Sequence, residues 1–416
     1  MANTATSIYT STNSAYVESS ETFTFTGDFT VEFWFYGVSY ESANYTFLYE
    51  LGAHDTSSSP YGVGFGVYQN LLYHFAHSNS GIGSYNSNYV LPDGDAPTGQ
   101  WDHFAHVYSG GRFLLYMNGS LRGVTATSTA KTYSGKLKFG DATYTSTEGS
   151  VGYYDEIRAS KVARYGNIDT PTTQLSTSQT AGPGKNTILP HHVKLLVQAN
   201  SSTTTSNSPT DLSGHFVADS SNKATFSQTQ TQFGNCAIYF DGTTGLNFPV
   251  ASTSDLDWSG DWSYEAWVYS THTSSYTWWW GQSAGGTGPN NAWFFQLNPA
   301  AQNGGIYSSG TGTNEQYSET LYHTTHKTNQ WQHWVMGIVD NNWHIFKDGQ
   351  LFMQRPTSSL YRPANSTRPF WIGRREAGGN VFLGYMDNIR ICCGQSAYTP
   401  HFTPYGGQKN VVHNRG

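Results

Sequence analysis

A short block near residue 100 recurs 230 positions later, and two further blocks recur around it in the same order. Gln100-Trp101-Asp102-His103-Phe104 returns as Gln330-Trp331-Gln332-His333-Trp334. The spacing holds without a gap to Met117-Asn118-Gly119-Ser120-Leu121, which returns as Lys347-Asp348-Gly349-Gln350-Leu351. Upstream, Gly27-Asp28-Phe29-Thr30-Val31-Glu32-Phe33-Trp34 is echoed by Gly260-Asp261-Trp262-Ser263-Tyr264-Glu265-Ala266-Trp267. Downstream, Gly152-Tyr153-Tyr154-Asp155-Glu156-Ile157-Arg158 is echoed by Gly384-Tyr385-Met386-Asp387-Asn388-Ile389-Arg390. A period this long is not that of a solenoid, whose repeats run to about 20–50 residues, so the chain is read as two homologous domains in tandem. Each is large enough to bury its own core.

The blocks also fix the class of structure. In Phe29–Phe35 every second residue is apolar, the period of a strand. Asn118-Gly119 and Asp348-Gly349 each follow an apolar run, a hairpin signal because the tight primed turns need positive φ at both central residues. No segment carries a sustained helical period. Aromatics at 16% and 44 glycines suit strands and turns, whereas disorder would need few apolar groups and a high charge. The expected class is all-β, with two tandem antiparallel sandwiches.

The expected domains are 1–168 and 191–404, joined by a linker at 169–190 rich in Thr, Ser, Pro and Gly and followed by a polar arm at 405–416. The second copy opens with an extra strand-like segment, Val193-Lys194-Leu195-Leu196-Val197, that the first lacks. Domain 1 is therefore expected to miss its first strand and to leave a sheet edge open.

Charge and motifs narrow the function. A net charge of −7 argues against a nucleic-acid backbone binder, and no apolar run is long enough for a membrane span. The first residues lack the basic and apolar regions of a secretory signal, which suggests folding in a cytoplasm. Cys236, Cys392 and Cys393 are too few and too badly spaced for a disulfide framework or a metal site, and are read as small buried hydrophobes.

Glu32 and Glu265 stand mid-strand in apolar blocks, where a carboxylate is costly without a partner. The blocks offer Arg158 and Arg390, so structural pairs Glu32–Arg158 and Glu265–Arg390 are expected in preference to a ligand-binding role. His103 and His333 follow equivalent tryptophans and are read as ordinary polar histidines; His323 and His326 lack a carboxylate at ligand spacing. Trp278-Trp279-Trp280 is the candidate sugar-stacking platform, set against core packing with one outward ring; its match in domain 1 is read as Tyr49-Glu50-Leu51.

Taken in order, the Ile-Tyr-Phe-Asp-Gly strand at 238–242, the Gly-Asp-aromatic block, the Gln-Trp-x-His block, the Asn/Asp-Gly hairpin and the Asp-x-Ile-Arg ending resemble the concanavalin A-like lectin/glucanase superfamily, in particular its laminin-G-like (LamG) branch. The resemblance spans roughly 7–165 and 193–400 and implies jelly-roll sandwiches of two antiparallel sheets. The ending Asp155–Tyr165 is similar to that of such domains in phage structural proteins.

Glycosidases of the superfamily carry Glu-x-Asp-x-Glu or a close variant on one strand, which this chain lacks. Asp155 and Glu156 are neighbours on opposite faces, and Asp255-x-Asp257 has no third carboxylate. Calcium occurs in some LamG domains; Asp219 and Asp255 are the scattered candidates, and no metal, cofactor or catalytic residue is assigned.

The resemblance implies a non-enzymatic virion structural protein, as capsid decoration, knob, fibre or tail-associated part. Its partners would be other virion proteins, further copies of itself and a host surface glycan. The alternative is a carbohydrate-binding lectin or adhesin, and a glycoside hydrolase comes third.

Overall fold

The computed structural model describes residues 7–39, 46–52, 62–68, 71–76, 98–124, 132–141, 149–167, 171, 174–181, 184–199, 209–219, 224–273, 276–283, 292–298, 303–309, 316–317 and 327–401. Contacts divide the chain into unit 1, Met1–Asn167 with Pro400–Gly416, and unit 2, Ile168–Thr399. Each is an antiparallel β-sandwich with its own apolar core.

In unit 1 one sheet runs Ile8–Thr10, Val151–Ser160, Phe29–Ser39, Trp101–Ser109, Arg112–Met117, Ser120–Val124. The other runs Val17–Phe25, Tyr133–Phe139, Thr46–Leu51, Val63–Tyr68, Leu71–Ala76. Unit 2 repeats both orders. Its first sheet includes Ala237–Asp241, Leu383–Cys393, Trp262–Ser270, Trp331–Val339, Asn342–Lys347 and Gln350–Pro356. Its second runs Leu246–Phe248, Phe370–Ile372, Thr277–Gly281, Trp293–Asn298, Asn303–Ser308 and then Gln316–Tyr317. Trp34 lies opposite His103 and Trp267 opposite His333, so the register is duplicated as well as the order.

Alternation sets the two faces. Phe29, Val31, Phe33 and Phe35 enter the core of unit 1, as Trp262, Tyr264, Ala266 and Val268 enter that of unit 2. The intervening Thr30, Glu32 and Trp34, and likewise Ser263 and Glu265, point to the outer face yet are also buried. That outer layer is what the blocks encode.

The hairpin turns form as their sequence requires. Asn118 and Gly119 have φ 51° and 77°, Asp348 and Gly349 φ 48° and 82°. The turn residue does a second job, because Asn118 Oδ1 accepts from the His103 amide (2.9 Å) and Asp348 Oδ1 from the His333 amide (2.8 Å).

The segment expected as a linker, 169–190, falls within unit 2. Gln179 and Ile188 exchange two backbone hydrogen bonds (2.9 and 2.8 Å), and Asn186 N donates to Ala397 O (3.0 Å). Ile188 is buried, and Leu175, Ser176 and Gln179 bond the buried Asn388 and Arg390. A polar, Thr- and Ser-rich segment gives no apolar period to reveal such a role.

All three cysteines are free and buried, and Cys236 Sγ donates to Ala199 O (3.2 Å). No helix among the described residues is long and apolar enough to cross a membrane.

Candidate functional site

A β-bulge in the last strand of each sandwich makes the outer-face cluster. Asp155 lies opposite Trp34 but Arg158 opposite Glu32, so three steps on one strand face two on the other. The same slip sets Asp387 opposite Trp267 and Arg390 opposite Glu265. Glu156 and Asn388, at the bulge, adopt φ 48° and 51°. The extra residue re-aims the arginine onto the glutamate's face, which explains the Asp-x-Ile-Arg spelling in both copies.

Around Glu32, Arg158 Nε donates to Oε1 (2.7 Å), Arg164 Nε stands 3.0 Å from Oε1, and Tyr165 Oη donates to Oε2 (2.6 Å). His103 Nε2 is 3.3 Å from Oε2. Around Glu265, Arg390 reaches Oε1 with Nε (2.6 Å) and Nη2 (2.5 Å), Tyr398 Oη donates to Oε2 (2.6 Å), and His333 Nε2 lies 3.3 Å from Oε2. Trp34 and Trp267 each meet their histidine with ring centroids 5.3 Å apart. A Trp-His-Glu-Arg-Tyr cluster is thus built twice. A tyrosine follows each arginine, Tyr165 after Arg158 and Tyr398 after Arg390, a signal present in the sequence that the paired blocks leave out.

The second layer differs. In unit 1 Arg164 adds a cation, and Thr30 Oγ1 both donates to Val162 O (2.9 Å) and accepts from Arg164 N (3.0 Å). In unit 2 the segment 174–190, a strap across the strand, replaces it: Arg390 Nη2 donates to Gln179 Oε1 (2.8 Å) and Nη1 to Ser176 O (3.2 Å). Both glutamates are almost wholly buried, but the Arg158 side chain is 37% exposed and that of Arg390 only 1%.

Electrostatics follow from these partners. Burial pushes Glu32 up, but the hydrogen bonds from His103, Arg158 and Tyr165 outweigh it and hold the carboxyl down at about 2. For Glu265, burial is likewise outweighed by the Arg390 charge and by His333 and Tyr398, so its carboxyl also sits below the usual carboxylate range. A group held ionised in this way has no proton to give at neutral pH, and each is enclosed by cationic and phenolic partners rather than by a second carboxylate. The arrangement suits a staple between strand and covering segment.

The tryptophan run does not form a platform. Trp278, Trp279 and Trp280 are all buried. A register slip between Trp278 and Trp280 lets both Trp279 and Trp280 enter the core, while Trp278 stacks on Phe294 (4.2 Å) and Phe294 on Tyr307 (4.5 Å). The equivalent segment in unit 1 is Phe47-Leu48-Tyr49 rather than Tyr49-Glu50-Leu51. Gly373 N donates to Trp279 O as Gly140 N does to Leu48 O, and Trp280 and Tyr49 lie opposite the matching Ile372 and Phe139.

The remaining sequence candidates separate. Asp219 accepts from Asn247, and Asp255 Oδ2 caps the Ala251 and Ser252 amides (both 2.9 Å). Among the described residues no group of three or more His, Cys, Asp or Glu is placed to hold a metal. His323 and His326 lie outside the described residues.

Concanavalin A-like lectin/glucanase family models cover residues 10–166 and 240–393. The chain belongs to this superfamily. No curated protein sequence matches it. Among solved structures it is similar to domain 4 of an extracellular arabinanase from Geobacillus stearothermophilus, with 15% identity, TM-score 0.36, and 50% of this chain and 94% of that one covered. It is also similar to domains LG4-5 of mouse laminin α1, with 11% identity, TM-score 0.29, and 90% and 84% covered. A third is the Caenorhabditis elegans galectin LEC-6, with 14% identity, TM-score 0.26, and 36% and 94% covered.

One carboxyl beside the cluster behaves in the opposite way. Asp387 Oδ1 accepts from Asn388 N (2.7 Å) and Ala199 N (3.3 Å), while Oδ2 is buried with no hydrogen-bond partner. Burial pushes its carboxyl up to about 6. With the folded value above the unfolded one, Asp387 destabilises unit 2 as pH rises through about 6, and the cost vanishes towards pH 4. Asp387→Asn should therefore stabilise unit 2 at pH 8 by roughly 1–3 kcal/mol, with the gain shrinking on acidification. Urea midpoints of the two proteins at pH 8 and pH 4.5 check this.

Proposed function

We propose that the chain is a non-enzymatic structural protein of a virion, built from two lectin-like sandwiches that act through their surfaces and engage a host glycan. The observation that carries the non-enzymatic part is the cluster around Glu32 and Glu265. Held ionised, each glutamate has no proton to give as an acid, and buried behind its ion-pair partners it is closed off from a sugar as a nucleophile. The family supports binding of carbohydrate in general, and the likeness of the Asp155–Tyr165 ending to phage structural proteins supports the virion setting. That ending is the segment that closes over Glu32 through Arg158, Arg164 and Tyr165.

A glycan array probed with the purified chain, combined with immunogold labelling of particles released from the source cells, tests both parts. The expected result is retention on one class of glycan without its hydrolysis, and gold on the particles. Release of free sugar would overturn the non-enzymatic reading. Glycan binding with unlabelled particles would leave a lectin or adhesin outside the virion and overturn the structural one.

A further inference from the structure

The two units share a strand order but not an edge. In unit 2 the last strand, Leu383–Cys393, has two partners along one side: Ala237–Asp241 beside Leu383–Met386 and Val193–Val197 beside Ile389–Cys392. In unit 1 the last strand, Val151–Ser160, has Ile8–Thr10 beside Gly152–Tyr154. Among the described residues no strand lies beside Ile157–Ser160 on that side.

Burial records the difference residue by residue. Ile389, Arg390, Ile391 and Cys392 are all buried, whereas the equivalent Ile157, Arg158, Ala159 and Ser160 are all partly exposed. Ile157 and Ala159 pack against the apolar core of unit 1 and are still only partly covered. A half-covered apolar edge with no described strand beside it is a template for another strand.

We propose that the Ile157–Ser160 edge of unit 1 is a strand-acceptor site, taking an extended apolar segment donated by a partner chain. Unit 2 supplies the chemistry of the occupant. There Val197 lies opposite Ile389, Leu196 opposite Arg390, Leu195 opposite Ile391 and Val193 opposite Cys392. Leu195 and Val197 enter the core and Lys194 stays half-buried. The donated strand accordingly carries branched apolar residues at alternate positions, set opposite Ile157 and Ala159, with a polar or cationic residue towards one end. This holds whether or not the partner is a virion protein.

Hydrogen exchange on the full chain, with and without a synthetic peptide of the sequence His191–Ala199, tests it. In the chain alone, amides of Ile157–Ser160 should exchange on the order of 100-fold faster than those of Ile389–Cys392. The peptide should bind and slow the first set, leaving the second unchanged. The same peptide N-methylated at alternate backbone nitrogens, which cannot form the ladder, should not bind. Four results would overturn the proposal: equal protection of both edges in the chain alone, as when another segment of the chain covers the site; protection that rises with protein concentration alongside dimer in light scattering, which makes a second copy the occupant; no binding of the peptide; or equal binding of its N-methylated form.

Discussion

Replacing Arg390 with alanine should cost unit 2 about 3–5 kcal/mol, the range for a buried ion pair that loses one member. Glu265 would be left buried and charged, with only His333 and Tyr398 against it. The equivalent Arg158→Ala should cost much less, roughly 1 kcal/mol. Arg158 is partly solvated, and Arg164 still stands 3.0 Å from Glu32. A double replacement, Arg390→Met with Glu265→Met, should recover most of the loss, since the penalty lies in the stranded charge rather than in the missing bond. Urea unfolding followed by tryptophan fluorescence separates the units, because unit 1 holds only Trp34 and Trp101 of the 13 tryptophans. A loss that is equal in the two single variants would show that the strap and the burial it provides are irrelevant.

Unit 1 should be acid-labile through two histidines in its core. Its core holds a polar chain: Tyr49 Oη lies 2.5 Å from His106 Nδ1, and His106 Nε2 lies 2.9 Å from His74 Nδ1. Burial pushes His74 down to about 3 and His106 well below its ordinary value, with the neighbouring His74 adding to the second shift. Both are neutral in the folded unit and charge on unfolding. Their folded values lie below the unfolded one near 6.5, so stability is full above pH 6.5 and falls as pH drops towards 3. The loss should be on the order of 2 kcal/mol per histidine at pH 5. Unit 2 has Ile306 and Met336 at the equivalent places, where Ile306 lies opposite Phe295 as His74 lies opposite Phe65, and Met336 opposite Tyr264 as His106 opposite Val31. His74→Ile with His106→Met should therefore flatten the acid limb of unit 1. Thermal unfolding of both proteins between pH 7.5 and 4.5 measures it, and an unchanged slope would place the acid sensitivity elsewhere.

The duplicated blocks make much of this legible in the sequence. They carry the strands that form the outer-face cluster, and the alternation within them gives the faces, so Glu32, Glu265, Arg158 and Arg390 could be named as a set. The bulge was hidden. Counting along Asp155-Glu156-Ile157-Arg158 with a period of 2 puts Asp155 and Arg158 on opposite faces, and only the slip at Glu156 restores the arginine to Glu32. The match of Trp278–Trp280 moves by two positions because the strand of unit 1 runs two residues further before its glycine, Gly52 against Gly281, while the slip itself is shared. Tyr165, Tyr398 and Gln179 were missed because each arrives from a segment with no strand period, held by hydrogen bonds rather than by apolar contact. His74 and His106 were missed because a histidine inside an apolar strand gives no sign of facing another across the core.

The buried glutamates hold the sandwiches together and take no part in proton transfer. A carbon-13 NMR titration of the side-chain carboxyl groups from pH 8 to pH 4 tests it most directly. Glu32 and Glu265 should show no inflection in that range, while Asp387 should titrate near 6 and serve as the internal control. A midpoint between about 5 and 7 for either glutamate, where a catalytic acid must lie, would instead make it a proton donor.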